Sequence, residues 1–389
     1  MQEIKASAMI QRKLYDKIKN QLFKGKAIML IGSRQTGKTS LLHELFSGND
    51  EVLWLNGDDP EVQKTISQIN SEEWRVVIGN KKILVIDEAQ LIENIGMRMK
   101  LVTDQFKDVQ LIATGSSAFE LANQLNEPLT GRKWEYRMFP LSYGEMVEHH
   151  GLIAERSLLS HRLVYGYYPE VVTSPGNERN VLRVLTDSYL YKDVLNFGGI
   201  KKSNKLTTLL QAIAYQVGSQ VSYSELANTV GIDGKTVETY IDLLEKSYII
   251  FRLPSFSRNL RNELKHSKKI YFYDNGVRNA VISNFSPVAQ RTDVGALWEN
   301  FLISERMKSN EYNGSWCKSY FWRNHKQKEI DYLEEYDGRL YAYEFKYNPR
   351  KAAVVPKDFE GAYPETPFME VTADNYEGFL LGQEVVGGV

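Results

Sequence analysis

The chain has 389 residues, 42% hydrophobic and 25% charged, a balance that excludes a disordered or collagen-like chain and leaves length for two or three domains with buried cores. Lys+Arg number 48 against Asp+Glu 49, a formal net charge of -1, so no global field recruits nucleic acid or membrane and any such partner must meet a local patch. The single cysteine, Cys317, excludes an intramolecular disulfide and a cysteine zinc cluster and fits a reducing compartment. Residues 1–20 carry charges throughout and lack the apolar core of a signal peptide. Apolar runs such as 27–31 and 83–86 are far too short to cross a bilayer. A cytoplasmic location with no membrane partner is expected.

Ala27-Ile28-Met29-Leu30-Ile31 reads as a strand buried on both faces. It runs into Gly32-Ser33-Arg34-Gln35-Thr36-Gly37-Lys38-Thr39, and then into a helical stretch that starts at Ser40. Strand, G-x-x-x-x-G-K-T and helix, in that order, is the context a phosphate-binding loop requires. The glycines let backbone N–H groups turn toward a β-phosphate, and the helix dipole adds favourable potential there. Residues Gly32 through Ser40 are the candidate ATP-binding loop, with Lys38 bridging β- and γ-phosphates and Thr39 holding Mg²⁺.

Lys82-Ile83-Leu84-Val85-Ile86-Asp87-Glu88 is a second buried strand that ends in two acids. Such an ending puts Asp87 on the Mg²⁺ side and Glu88 where it polarises water, as a catalytic base. A base beside the nucleotide favours hydrolysis over small-molecule phosphorylation, which must exclude water. Two more strands are expected, at 52–56 and 109–114. The second runs into Gly115-Ser116-Ser117, where Ser116 either senses a γ-phosphate or belongs to an ordinary turn.

Together, Gly32–Thr39, Asp87-Glu88-Ala89-Gln90, Thr114-Gly115-Ser116-Ser117 and Leu129-Thr130-Gly131-Arg132 resemble the prokaryotic AAA+-type ATPases. They are similar, more narrowly, to a subgroup with an uncharacterised C-terminal region of nuclease-like fold. Further tags of that subgroup are Phe139-Pro140-Leu141-Ser142-Tyr143-Gly144-Glu145, Gly166-Tyr167-Tyr168-Pro169-Glu170-Val171-Val172 and Tyr189-Leu190-Tyr191-Lys192-Asp193-Val194. The resemblance implies a five-stranded AAA+-type sheet, ATP hydrolysis and assembly into oligomers. It also implies an arginine that completes the site. Arg132 stands at a matching position, a structural ion pair being the alternative.

Downstream, 157–165 and 180–194 carry apolar residues at helical spacing. After the polar link 201–205, helices are expected at 206–217, 222–230 and 235–247, followed by a strand from Tyr248. Ser222 with Glu225 three residues on is a capping-box pattern. Helix, turn, helix and strand pair is a winged helix-turn-helix. Its third helix carries Glu238, Asp242 and Glu245, a poor match to a phosphate-lined groove. The wing at 252–278 is basic, with Arg252, Arg258, Arg261, Lys265, Lys268, Lys269 and Arg278 against Glu263 and Asp274. It either contacts DNA or is a solvated face packed against acidic parts of the protein.

The last segment centres on Asp337-Gly338, a two-residue hairpin signal between alternating runs. Pairing Tyr336 with Arg339 sets Asp331 opposite Glu344 and Glu329 opposite Lys346. Ile330, Tyr332, Tyr343 and Phe345 then share the other face. Two carboxylates across a sheet repel unless a divalent cation joins them, and Lys346 beside them is placed to orient an attacking water. The pattern resembles the PD-(D/E)xK nucleases, whose extra acid would be Glu299. Cleavage retained and cleavage lost both stay open. Trp322 and Arg323, beside His325, Lys326 and Lys328, are candidates to meet a nucleic-acid backbone.

The expected fold class is thus α/β. A P-loop AAA+-type domain (1–149) precedes a helical region (150–205), a winged helix (206–290) and a restriction-endonuclease-like α/β domain (291–389). ATP and Mg²⁺ are the expected cofactors, with a second divalent metal in the last domain.

Overall fold

The computed structural model describes residues 9–116, 129–190, 203–258, 268–350 and 353–382. Ser117, the 191–194 part of the third tag, Arg261, Glu263 and Lys265 lie outside them. No helix among the described residues is long and apolar enough to cross a membrane. The chain forms two compact units, Met1–Pro140 with Ser188–Lys201 and Lys246–Tyr248, and Leu141–Asp187 with Lys202–Glu245 and Ile249–Val389.

The first unit is built on a five-stranded sheet, β1 (Ala27–Ile31), β2 (Val52–Asn56), β3 (Ile83–Asp87), β4 (Gln110–Gly115) and β5 (Lys133–Arg137). Its order is β2-β3-β4-β1-β5 and every pair is parallel. The central strands are buried along their apolar runs, while β2 and β5 at the edges are partly open. That contrast is what a parallel sheet covered on both faces demands. Helix starts follow local chemistry. The Asn70 side chain accepts from Glu73 N, and Glu73 returns a bond to Asn70 N, before helix Ser71–Ile78.

The second unit contains helices Ser203–Tyr215, Tyr223–Val230 and Gly234–Lys246, the second capped by Ser222. A three-stranded antiparallel sheet follows, ordered β6 (Gln220–Val221), β8 (Lys268–Phe272), β7 (Ile250–Pro254). The last part is a four-stranded sheet, β12 (Phe368–Thr372), β11 (Arg339–Lys346), β10 (Glu329–Tyr336) and β9 (Lys318–Arg323) in spatial order. The long helix Val294–Asn313 precedes it.

The main segment of the first unit runs to Pro140, beside the expected boundary of 149, and most of the three expected later regions falls in the second unit. Buried polar side chains join them. Asn279 Nδ2 donates to Leu163 O and Val164 O at 3.2 and 2.8 Å, and Asn275 Nδ2 to Leu297 O at 3.0 Å. Tyr167 N donates to Asp274 Oδ2 at 2.6 Å, and Tyr143 N to Glu305 Oε2 at 2.7 Å. Gly166 and Gly276 make the approach feasible, because a Cβ on either would overlap Asp274 or Tyr165. The Gly166-Tyr167 tag is therefore a packing joint.

Candidate functional site

The loop after β1 folds onto itself. Gly32 N donates to Gly115 O at 3.3 Å, and a Cβ at Gly32 would overlap Met138 O. Lys38, buried, donates from Nζ to Gly32 O at 2.7 Å and Ser33 O at 2.9 Å. Thr36 Oγ1 donates to Ser33 O at 2.9 Å. Arg12, which the sequence did not single out, clamps the loop through Thr36 O and Phe139 O at 2.5 and 2.7 Å. Arg34 and Gln35 are half-buried in the loop, and Ser40 is exposed on the helix Lys38–Leu45.

Thr39 Oγ1 donates to Asp87 Oδ2 at 2.9 Å, so helix start and strand end meet. Thr114, fully buried on β4, ties down both acids. Its hydroxyl donates to Asp87 Oδ1 and accepts from Glu88 N at 3.1 Å. Glu88 has φ of 47°, a left-handed backbone that a non-glycine residue adopts at a cost. Gly57 N donates to Asp87 O at 2.8 Å, and only a residue without Cβ fits there, against Glu88 O. Ser116 Oγ is buried at the end of β4 and has no hydrogen-bond partner among the described residues.

These groups share the C-terminal ends of β1, β3 and β4, where open α/β sheets bind ligands. An ammonium, a hydroxyl and two carboxylates around a glycine loop suit a phosphate chain and a hard cation. The hydroxyl and carboxylate already in contact at Thr39 and Asp87 are the donor set that fits Mg²⁺.

Arg132 does not join this group. Its carbonyl accepts from Ala27 N, at the opposite end of β1 from the loop, and its Nε pairs with Asp104 Oδ1 at 2.7 Å. Five strand residues separate it from Gly32, roughly 17 Å at strand rise. Within its own chain it holds a surface ion pair.

The hairpin register at the C-terminal end is the expected one from Tyr336↔Arg339 to Tyr332↔Tyr343. Asp337 and Gly338 both have positive φ, as a two-residue primed turn requires. An irregularity between Ile330 and Leu333 then breaks the alternation. Ile330 joins a cluster with Leu333, Trp322, Ala342, Phe256 and Phe359, whereas Tyr332, Tyr343 and Phe345 pack around Phe379. The four residues expected on one face are thus split three to one.

The carboxylates brought together are Glu299, Glu329 and Asp331, with ligand oxygens within 4.8 Å of one another. Glu344 stands beside them, tied to Lys346 Nζ at 2.7 Å and in ladder register with Glu370. Asp331 Oδ2 accepts from Phe345 N at 2.8 Å. Burial, then the Glu299 and Glu344 charges, push the Asp331 carboxyl well above its ordinary value. Lys269, from β8, enters the group. Its Nζ donates to Glu299 Oε1 at 2.9 Å and to Glu329 Oε1, and only 2% of its side chain is exposed. Burial opposes that ammonium, but the Glu299, Glu329 and Asp331 charges outweigh it and raise its pKa. As it stands, this set does not fit a divalent metal, because a protein cation already occupies it.

Lys269 is one of several wing residues used internally. Arg278, also buried, donates to Ala214 O and pairs with Asp293. Arg252 pairs with Asp242 at 2.7 Å and with Glu245, the acids that made the third helix unsuited to DNA. Charges separated in sequence neutralise one another once folded, so the basic wing expected at 252–278 is not a free patch among the described residues. Arg258, over the Tyr363 ring at 5.3 Å, and the half-buried Lys268 remain. Nearby, Trp322, Arg323 and His325 line a groove of about 420 Å³ with Ser255, Phe256 and Tyr363.

Residues 24–147 match the family model described as an AAA domain. Residues 156–288 match a domain of unknown function (DUF8612), and 294–376 another domain of unknown function (DUF4143). The chain is 27% identical to an uncharacterized protein of Haemophilus influenzae over 302 residues, 71% of this chain and 74% of that protein. It is 24% identical to the uncharacterized protein Rv2008c of Mycobacterium tuberculosis over 340 residues, 85% and 72% of the two chains. Among solved structures, a Walker-type ATPase of Pyrococcus abyssi is similar over 70% of this chain and 96% of its own, at 15% identity and a TM-score of 0.48. The AAA-domain match over 24–147, on a glycine loop and parallel sheet of this geometry, supports ATP binding and hydrolysis by the N-terminal unit.

Proposed function

We propose that the protein binds ATP with Mg²⁺ at the loop end of the N-terminal sheet, hydrolyses it, and uses turnover to regulate nucleic-acid engagement by its C-terminal half. The observation that carries the nucleotide part is the Thr39–Asp87 contact beside Lys38. Lys38 exchanges its two loop carbonyls for the β- and γ-phosphates, and loop N–H groups take the remaining phosphate oxygens. Thr39 and Asp87 hold Mg²⁺, which when bound neutralises phosphate charge. Glu88, held by Thr114, orients and deprotonates the attacking water, and Ser116 donates to the γ-phosphate. An arginine that completes the site comes from a neighbouring subunit of an oligomer, since Arg132 is spent on Asp104 in its own chain.

For the C-terminal half, our reading is a winged helix followed by a nuclease-like fold that recognises nucleic acid without cutting it. Lys269 inside the acidic cluster supports this over metal-dependent cleavage. The contact surface is the groove lined by Arg323, His325 and the half-buried Tyr363 ring, with Trp322 buried beneath and Arg258, Lys326 and Lys328 flanking it, a pairing of cations with an aromatic face that suits single strands.

Purified wild type and Lys38→Ala are to be compared for ATP affinity, ATP hydrolysis, and binding and cleavage of labelled single-stranded, duplex and branched DNA. Lys38→Ala should lose nucleotide binding. DNA affinity of the wild type should change with ATP and fall steeply with salt. Unchanged ATP affinity in Lys38→Ala would refute the nucleotide site, and cleavage lost in Asp331→Ala would refute the non-cleaving reading.

A further inference from the structure

We propose that Lys269 is a built-in cation that closes the C-terminal acidic cluster to divalent metal, so that the native chain holds none at Glu299, Glu329 and Asp331. This rests on the non-cleaving reading above. The ammonium is fixed in place. β8 is the middle strand of its sheet, with Lys269 in register with Gln220 on one side and Leu253 on the other, and the side chain is 2% exposed.

At least one oxygen of each carboxylate is already engaged by a protein donor. Glu299 Oε1 accepts from Lys269 Nζ and from Tyr271 OH at 2.5 Å. Glu329 Oε1 accepts from Lys269, and its Oε2 faces Arg323 Nε at 3.5 Å. Asp331 Oδ2 accepts a backbone N–H. Charge leads to the same result. Four carboxylates, Glu299, Glu329, Asp331 and Glu344, face the three cations Lys269, Arg323 and Lys346. A dication among these oxygens would lie within about 3 Å of a buried ammonium, and like charges at that range repel strongly out of water. Lysine and metal therefore exclude each other. Without the lysine, Glu299, Glu329 and Asp331, with oxygens within 4.8 Å of one another, lose the ammonium at their centre, the condition under which a shared cation becomes favourable.

The test is Mn²⁺ binding followed by electron paramagnetic resonance on the nucleotide-free full chain, with thermal melting in parallel. Wild type and Asp331→Asn should bind Mn²⁺ alike. Lys269→Met should gain a Mn²⁺ site, and saturating Mn²⁺ should raise its melting temperature by about 5 °C. Both gains should vanish in Lys269→Met/Asp331→Asn. Lys269→Gln, which keeps a hydrogen-bond donor but no charge, replaces Lys269→Met if that variant does not fold. A Mn²⁺ site in the wild type that Asp331→Asn removes would overturn the proposal, as would a folded charge-removing variant that gains none. DNA cleavage by the wild type would overturn the non-cleaving reading. Wild-type Mn²⁺ binding that Asp331→Asn removes, without cleavage, would overturn only the lysine closure.

Discussion

Thr39 and Asp87 lie 48 residues apart in the chain, yet the hydroxyl and the carboxylate oxygen are 2.9 Å from one another. The helix that begins at Lys38 and the strand that ends at Asp87 each deliver one hard oxygen ligand to the same point. Thr39→Ala removes one of them and leaves the loop and Lys38 unaltered. Mg²⁺-dependent ATP hydrolysis should fall about 10- to 100-fold, whereas Thr39→Ser should keep most of it. Steady-state phosphate release against Mg²⁺ concentration checks this, the Thr39→Ala curve moving to higher Mg²⁺.

Glu88 does different work. Its carboxylate accepts from Gln90 Nε2, and its backbone is locked by Thr114 and Gly57 in a left-handed turn. Glu88→Gln preserves shape and removes the base. Nucleotide affinity should stay within about threefold of wild type, while turnover drops by about 10²–10⁴-fold. Fluorescent-nucleotide titration beside single-turnover hydrolysis separates the two.

The Thr114 hydroxyl serves two partners at once, donating to Asp87 and accepting from Glu88 N. Thr114→Val keeps the volume and leaves that N–H without an acceptor. The variant should lose about 1–3 kcal/mol of stability, read as a lower urea midpoint, together with most ATP hydrolysis. Full activity in Thr114→Val would show that the two acids hold their positions without it.

Asp293, in the second unit, binds Arg291 Nε and Nη2 at 2.8 Å each and Arg278 Nη1 at 2.5 Å. Burial alone would push this carboxyl up, but hydrogen bonds and charge from the two arginines override it and hold it at about 2, below the ordinary 3.8. A depressed carboxylate adds stability that is complete above its unfolded pKa and disappears as pH falls through the folded one. The window is from about pH 4 down to about pH 2, and the contribution about 2 kcal/mol. The same burial lowers Arg278, though a guanidinium stays charged throughout this range. Asp293→Asn should cost at least that much at pH 7 and flatten the stability curve across the window, as followed by denaturant unfolding at successive pH values.

The nucleotide loop was legible in the sequence because a contiguous string from Ile31 to Thr39 dictates it, and the hairpin register because Asp337-Gly338 admits few turns. Side chains whose partners are distant were not legible. Lys269 looked like part of a basic wing, but its carboxylates lie 30 and 60 residues further on. Arg252 was counted as free although Glu245 is only seven residues back, since helix and strand pairing alone bring them together. The faces of β10 were misjudged because one irregularity after Ile330 shifts all that precedes it. Gly57 and Arg12 carry no spacing signal, and Thr114, though part of a tag, gets its task of holding Asp87 and Glu88 only from the fold.

The buried bonds from Asn279 to Leu163 and Val164 span 116 and 115 residues, and that from Tyr143 to Glu305 spans 162. On the ribosome, the stretch 159–165 emerges on the order of ten seconds before the residues that satisfy its carbonyls, at ~5–20 residues/s. Until then the helix Leu159–Tyr165 lacks the cover that helices Asn275–Val281 and Val294–Asn313 give it. The second unit therefore completes its packing only after its later half has emerged.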